Sequence, residues 1–265
     1  METKRNPSVL VISSRVVRGS VGGRANQFAL EALGFPVWMV STVDLAWHPG
    51  HGPSTQIIPD SAKFADLLND LANSTFISEV EAVLTGYFAD VSHVQSVCRF
   101  VQDIKSHRPE FLYLCDPVIG DDGGLYVKET IASAIRDDLA PLADILTPNR
   151  FELSYLAGES FPDSLEECLL LARKMDVPTR MVTSCPTGKV GETGNLICDG
   201  NDAFVCGHEF LANTPKGSGD LTSAVLLGNV LQRHGTANSL GKTTRAVLDV
   251  LRHSVNADAN EMILN

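Results

Sequence analysis

The chain has 265 residues, 44% hydrophobic and 20% charged, with 21 basic against 32 acidic side chains and a formal net charge of −11. This is ordinary globular material; it excludes disordered and fibrous classes and, lacking a basic footprint, broad binding to nucleic acid or anionic membrane. Six cysteines without a CxxC pair read as buried reduced thiols of a cytoplasmic protein; the charged start METKRNPSVLVISS has too short an apolar run for a signal segment, and no window approaches a membrane span.

Short apolar runs alternate with helical patterns along the chain. SVLVISS (8–14) predicts a strand, RGSVGGR a glycine-rich loop, and ANQFALEALG a helix that stops at Gly34. A strand over 35–43 leads into a loop rich in Gly, Pro and His, DLAWHPGHGPST. SAKFADLLNDLAN predicts a helix, EAVLTGY (81–87) a strand, and DVSHVQSVCRFVQDIKSH a long amphipathic helix. EFLYLCDPVIGDDGG gives a strand running into an acidic loop. A helix near 128–138, the strand ADILTPN, helices near 149–157 and 164–175, and the strand TRMVTS continue the alternation. Two β-type runs around DGND (193–210) predict an antiparallel hairpin, and helices at about 219–233 and 239–256 close the chain. Repeated βα units imply a three-layer α/β/α fold with a mostly parallel central sheet and an antiparallel edge, built as one domain over 1–265. Ligands of such folds sit beyond the carboxyl ends of the strands.

Three familiar motifs fail their context tests. SLGKTT (239–244) lacks the P-loop spacing and follows a helix, so it reads as a loop and helix start. RGSVGGR lacks the GxGxxG spacing of a dinucleotide site. The histidines of HPGH (48–51) sit in a polar loop and read as non-ligands.

What survives lies just past predicted strands. Asp116, Asp121 and Asp122 stand in CDPVIGDDGGLY; Asn149 and Glu152 are three apart and share one helical face; Gly217, Ser218, Gly219 and Asp220 open a buried helix. Each has a bland account: Asp116 as a turn residue, Asn149 as an N-cap, Asp220 as an acid in a first turn. Together they describe phosphoryl transfer from a nucleotide. The glycine-rich N–H groups and the helix dipole hold charge developing on the phosphoryl group, Asp220 accepts the proton of an attacking hydroxyl, and hard carboxylates suit Mg²⁺. A helix dipole would lower the Asp220 pKa, so its value is expected to lie in position.

The segments VLVISSRVVRGSVGGR, TVDLAWHPGHG, VLTGYFADV, YLCDPVIGDDGGLYV, PLADILTPNRFELSYLAG and KGSGDLTSAVLLG resemble, in order, the motifs of the pyridoxal kinases of the ribokinase-like superfamily, over about residues 8–250. The resemblance implies ATP-dependent phosphorylation of the 5′-hydroxyl of pyridoxal, and of pyridoxine and pyridoxamine, by a homodimer. It makes Asp220 the base, with Gly217, Ser218 and Gly219 in the anion hole. Ser14, Val21, His48 and Tyr87 match the pyridoxal pocket, and Asp116, Asn149, Glu152, Thr183, Ser184 and Lys216 the ATP side. It implies Mg²⁺ near Asp116, Asp121 and Glu152, partly through water, a monovalent cation, usually K⁺, near Thr147 and Thr183, and Tyr126 in a phosphate-side flap. Arg15, Gly23 and Pro49 depart from the family's usual His, Asn and hydroxyl-bearing residue, and Pro215-Lys216 replaces a more apolar pair. Three rivals stand beside this reading: a hydroxymethylpyrimidine kinase, which resembles a form with Cys in place of Asp220; a sugar kinase; and a non-catalytic pyridoxal phosphate reservoir.

Overall fold

A computed structural model describes residues 6–265; the first five residues of the charged start lie outside it. Its centre is a nine-stranded sheet in the order β11-β10-β9-β8-β5-β4-β1-β2-β3. The strands are β1 (Ser8–Arg18), β2 (Val37–Trp47), β3 (Gln56–Ile57), β4 (Val80–Thr85), β5 (Leu112–Cys115), β8 (Ile145–Leu146), β9 (Thr179–Pro186), β10 (Glu192–Asp199) and β11 (Asp202–Glu209). Six neighbouring strands, β9-β8-β5-β4-β1-β2, run parallel, while β10 and β11 add the antiparallel hairpin expected around DGND. The other edge also carries an antiparallel strand, because β3 pairs with Asp44 and Leu45 of β2. Its two residues were too few to register as a sequence pattern.

Burial on both faces explains the near-continuous apolar runs of the central strands. Along β1, Val9 and Val11 face one layer and Leu10 and Ile12 the other, all fully buried. Each such side chain contributes about 1.5–3 kcal/mol of burial. Helices α2 (Ser61–Asn73), α3 (Val91–His107) and α4 (Glu129–Ala134) cover the Leu10 face. Helices α1 (Gly23–Ala32), α7 (Ser218–Leu231) and α8 (Thr236–Asn256) cover the Val9 face, and α5 (Arg150–Ala157) and α6 (Leu165–Lys174) close over β9 and β10. The sequence SLGKTT lies inside α8, which begins three residues before the expected start. The helix expected over 128–138 stops at Ala134 and continues as a π-helical turn, Ile135–Leu139. A small hairpin of β6 (Gly120–Asp121) and β7 (Gly124–Leu125) lies within the acidic loop. All six cysteines are unpaired, and five are buried.

Candidate active site

The carboxyl ends of the parallel strands and the start of α7 enclose a cavity of about 530 Å³. Its position follows from the topology, since loops leaving β1, β4, β5 and β8 must share one rim. Nearly every residue singled out from the sequence lines it: Ser14, Val21, His48, Tyr87, Asp116, Asp121, Tyr126, Thr147, Asn149, Glu152, Thr183, Lys216, Gly217, Ser218, Gly219 and Asp220. Ser184 does not. It is exposed, in a left-handed backbone conformation (φ 60°), and so falls outside the wall although its neighbour Thr183 is within it.

The start of α7 is shaped by Gly217, whose φ of 103° suits glycine, and whose absent side chain would meet the Ser20 carbonyl oxygen at 2.7 Å. Helix α7 is buried on all sides from Leu221 to Asn229, so its axis is held firmly by the core. Asp220, in its first turn, is half-buried and faces the cavity. The Gly22 N–H donates to its Oδ2 at 2.9 Å, and the buried Asn26 amide donates to its main-chain carbonyl at 2.7 Å. Gly22 (φ 59°) passes so close to Ser14 that a Cβ there would lie 2.4 Å from the Ser14 hydroxyl. Burial pushes the Asp220 carboxyl up to about 6, against the lowering by the Gly22 amide and its own N–H. This corrects the expectation from the helix dipole: loss of hydration outweighs it.

Asp116, just past β5, is buried, and its carboxyl is pushed up to about 8 by burial first and the nearby Asp220 charge second. The Ser223 hydroxyl donates to Asp116 Oδ2 at 2.8 Å and lies 2.9 Å from the Thr147 hydroxyl, so one serine joins α7, the end of β5 and the end of β8. Ser223 was missed from the sequence although it lies three residues after Asp220, on the same helical face. Glu152 is also buried and held well above the ordinary carboxylate range by burial and by Asp116. Its oxygens accept N–H bonds from Ile119 (3.1 Å) and Asn149 (2.9 Å). Asn149 returns a capping box to the Glu152 N–H and donates to the Gly120 carbonyl, so the bland N-cap account is correct and coexists with its place in the wall.

The opposite wall is built differently. Val21, Leu45 and Tyr87 give it an apolar lining, and Pro49 and Gly50 complete it. His48 Nδ1 accepts the Gly50 N–H at 3.0 Å and caps the turn Pro49–His51. Burial, with the charges of Lys216 and His51, lowers the His48 pKa, so the ring is neutral at pH 7 and its proton stands on Nε2. Burial likewise raises the Tyr87 hydroxyl pKa. Of the departures, Arg15 forms a two-point ion pair with Asp44 (2.7 and 3.1 Å), and Gly23 makes room for Met39. Lys216 reaches across to Asp121 at 3.5 Å, while Asp122 pairs with Arg150 at 3.6 Å.

A family model described as phosphomethylpyrimidine kinase matches residues 65–265. The chain is 33% identical over 264 residues to a pyridoxal kinase PdxY of Rubrobacter xylanophilus, covering 97% of this chain and 91% of that protein. Its fold is similar to the crystal structure of pyridoxal kinase from Entamoeba histolytica, with a TM-score of 0.89 at 25% identity over 98% of this chain and 93% of that one. It is also similar to pyridoxal kinase from Leishmania donovani in complex with ADP and pyridoxamine, with a TM-score of 0.87 at 27% identity over 98% and 91%. Among the described residues no helix is long and apolar enough to cross a membrane.

Proposed function

The chain belongs to the pyridoxal kinase family, and we propose that it moves the terminal phosphoryl group of ATP to the 5′-hydroxyl of pyridoxal, pyridoxine or pyridoxamine with Asp220 as the base. The observation that carries the mechanism is a carboxylate with a pKa raised to about 6 in the first turn of α7, facing the cavity that residues 217–219 also line. The substrate hydroxyl gives its proton to Asp220 as its oxygen bonds the phosphorus, and the bond to the ADP oxygen breaks. Amides 217–219 and the α7 dipole take up the charge on the moving group without reorganising. At pH 7 a group of this pKa is mostly ionised yet basic enough to accept the proton. The neutral ring of His48 and the faces of Val21 and Tyr87 hold the flat pyridine ring opposite, and Lys216 leaves Asp121 for the phosphates. Asp220 also separates this reading from a hydroxymethylpyrimidine kinase with Cys at that place.

Mg²⁺ and a monovalent cation, K⁺ by resemblance, belong to the same proposal. Asp116 and Glu152 are buried acids whose partners are hydroxyls and amides, so they lack charge compensation that a cation would supply. Among the described residues no three His, Cys, Asp or Glu side chains form a metal cage. Mg²⁺ keeps several waters and uses substrate phosphates; Asp116 would offer an oxygen, and Glu152 and Asp121 would act through water. When bound, Mg²⁺ neutralises phosphate charge. Thr147 and Thr183 would flank the monovalent cation. A cytoplasmic homodimer completes the reading.

The test is formation of pyridoxal 5′-phosphate from pyridoxal, Mg-ATP and K⁺, followed by absorbance, with wild type beside Asp220→Asn. Wild-type turnover and a loss on the order of 10³-fold in kcat, with pyridoxal still bound, is the expected result. Tight pyridoxal binding with no wild-type turnover would replace the kinase by a reservoir protein.

A further inference from the structure

Residues 260–262 touch three separate parts of the cavity wall. Glu261 accepts hydrogen bonds from Arg18 Nη1 (3.1 Å) and the Ser20 N–H (3.4 Å), and pairs with His51 Nε2 at 2.9 Å. Asn260 takes a second bond from Arg18, at 3.0 Å. The first two contacts hold the loop that presents Val21 and Gly22; the third holds the turn that presents His48, Pro49 and Gly50. Met262, only 2% exposed, packs under the anion-hole loop, where a Cβ on Gly217 would lie 2.7 Å from its terminal methyl. The segment is anchored to α8 by the Ile263 N–H, which donates to the buried Ser254 hydroxyl at 2.9 Å. None of these residues lines the cavity itself.

We propose that this segment is a strap that positions the reacting groups, with Glu261 setting the wall against the vitamer and Met262 setting the anion hole. The inference rests on the kinase reading above. Partly exposed ion pairs contribute little to stability, so the Glu261 cluster is better explained by what it aligns than by what it stabilises. The β1–β2 ladder ends at Arg18 and Trp47, and beyond that end a single carboxylate ties the loop that follows β1 to the turn that follows β2. Close-packed contacts pass a displacement on, and an ångström of misplacement at a reacting group costs up to about 100-fold in rate. The two residues therefore differ in which kinetic constant they govern. Uniform loss of vitamer binding raises KM, whereas a loosened anion hole lowers kcat.

Steady-state kinetics with pyridoxal and Mg-ATP would be measured for wild type, Glu261→Gln, Met262→Ala and Met262→Leu, with melting temperatures alongside. Wild-type turnover first secures the kinase reading, so its absence would sink that reading and not the strap alone. The expected result for Glu261→Gln is a rise of about 5–10-fold in KM for pyridoxal with kcat within twofold. For Met262→Ala it is a fall of about 10-fold in kcat with KM for pyridoxal nearly unchanged, restored by Met262→Leu, which refills the volume. Should Met262→Ala fail to fold, the split between KM and kcat in Glu261→Gln decides the matter. Variants that lose only melting temperature, with both constants within twofold of wild type, would overturn the proposal and leave the segment a structural buttress.

Discussion

The two ends of the cavity solve opposite problems. At the end proposed for the phosphates, Asp116, Glu152 and Asp220 line one wall, each with its carboxyl pushed up, chiefly by burial. At the end proposed for the vitamer, the wall is Val21, Leu45 and Tyr87, with His48 neutral and already bonded to its own turn. The first end is at odds with folding and suited to ligands that bring positive charge; the second is settled by packing and is suited to a flat, weakly polar ring. Stability is given up where charge must be handled, a pattern expected of functional sites.

Asp116→Asn tests that contrast most severely. Removing a carboxylate proposed to face the phosphates should lower kcat/KM for Mg-ATP on the order of 10²-fold, while leaving pyridoxal binding within twofold. The same change should stabilise the ligand-free protein at pH 8. The sign follows from linkage: with folded values of about 8 for Asp116 and about 6 for Asp220 against 3.8 for the ordinary group, the folded chain holds protons that the unfolded chain has released. Stability from these two groups therefore declines as pH rises from roughly 4 through their raised values. The Asn variant escapes the Asp116 share, and calorimetry at pH 8 should show a higher melting temperature, by ~2–4 °C per kcal/mol recovered. An unchanged melting temperature would mean that the phosphate end is not strained.

A pH series sharpens the comparison at the level of chemistry. Since Asp220, as the proposed base, must be ionised to accept a proton, kcat/KM for pyridoxal should fall about tenfold per pH unit below about 6, the value to which loss of hydration raises its carboxyl. The residual activity of Asp220→Asn should lack this limb. A limb that persists in the variant would assign the titration to another group.

The two ends also differed in how far the sequence revealed them. The phosphate end was legible because its chemistry needs particular residue types at fixed spacing: glycines before a helix, an acid in its first turn, acids after a strand. Even there, Ser223 and Asn26 escaped, since a serine or asparagine inside a helix carries no signal until the partner it reaches, Asp116 or the Asp220 carbonyl, is known. The direction of the Asp220 shift escaped for a related reason: the helix dipole can be read from spacing, whereas burial depends on what the rest of the chain packs around the group. In the fold, the long periodic elements were legible and the short ones were not. Two-residue pairings such as β3 and the β6–β7 hairpin are fixed by neighbours, not by their own pattern. At the end proposed for the vitamer only the resemblance selected His48 and Ser14, because a turn or a strand residue whose role is shape has no chemical signature of its own.

His48 offers the finest test of the vitamer end, because its two nitrogens have separable duties. Nδ1 caps the turn Pro49–His51, and Nε2 carries the proton that can meet a substrate acceptor. Asparagine is a good cap at such a position, so His48→Asn should keep the turn and its contact to Glu261 through His51, while its Nδ2 donors, on a shorter side chain, fall short of the place that Nε2 reaches. Loss of one neutral hydrogen bond is worth about 0.5–1.5 kcal/mol, which corresponds to a rise of roughly 2–10-fold in KM for pyridoxal, with KM for ATP and the melting temperature unchanged. If KM for pyridoxal stays level in His48→Asn but rises in His48→Ala, the histidine acts through the turn it caps, and specificity at this end resides in the apolar wall of Val21, Leu45 and Tyr87.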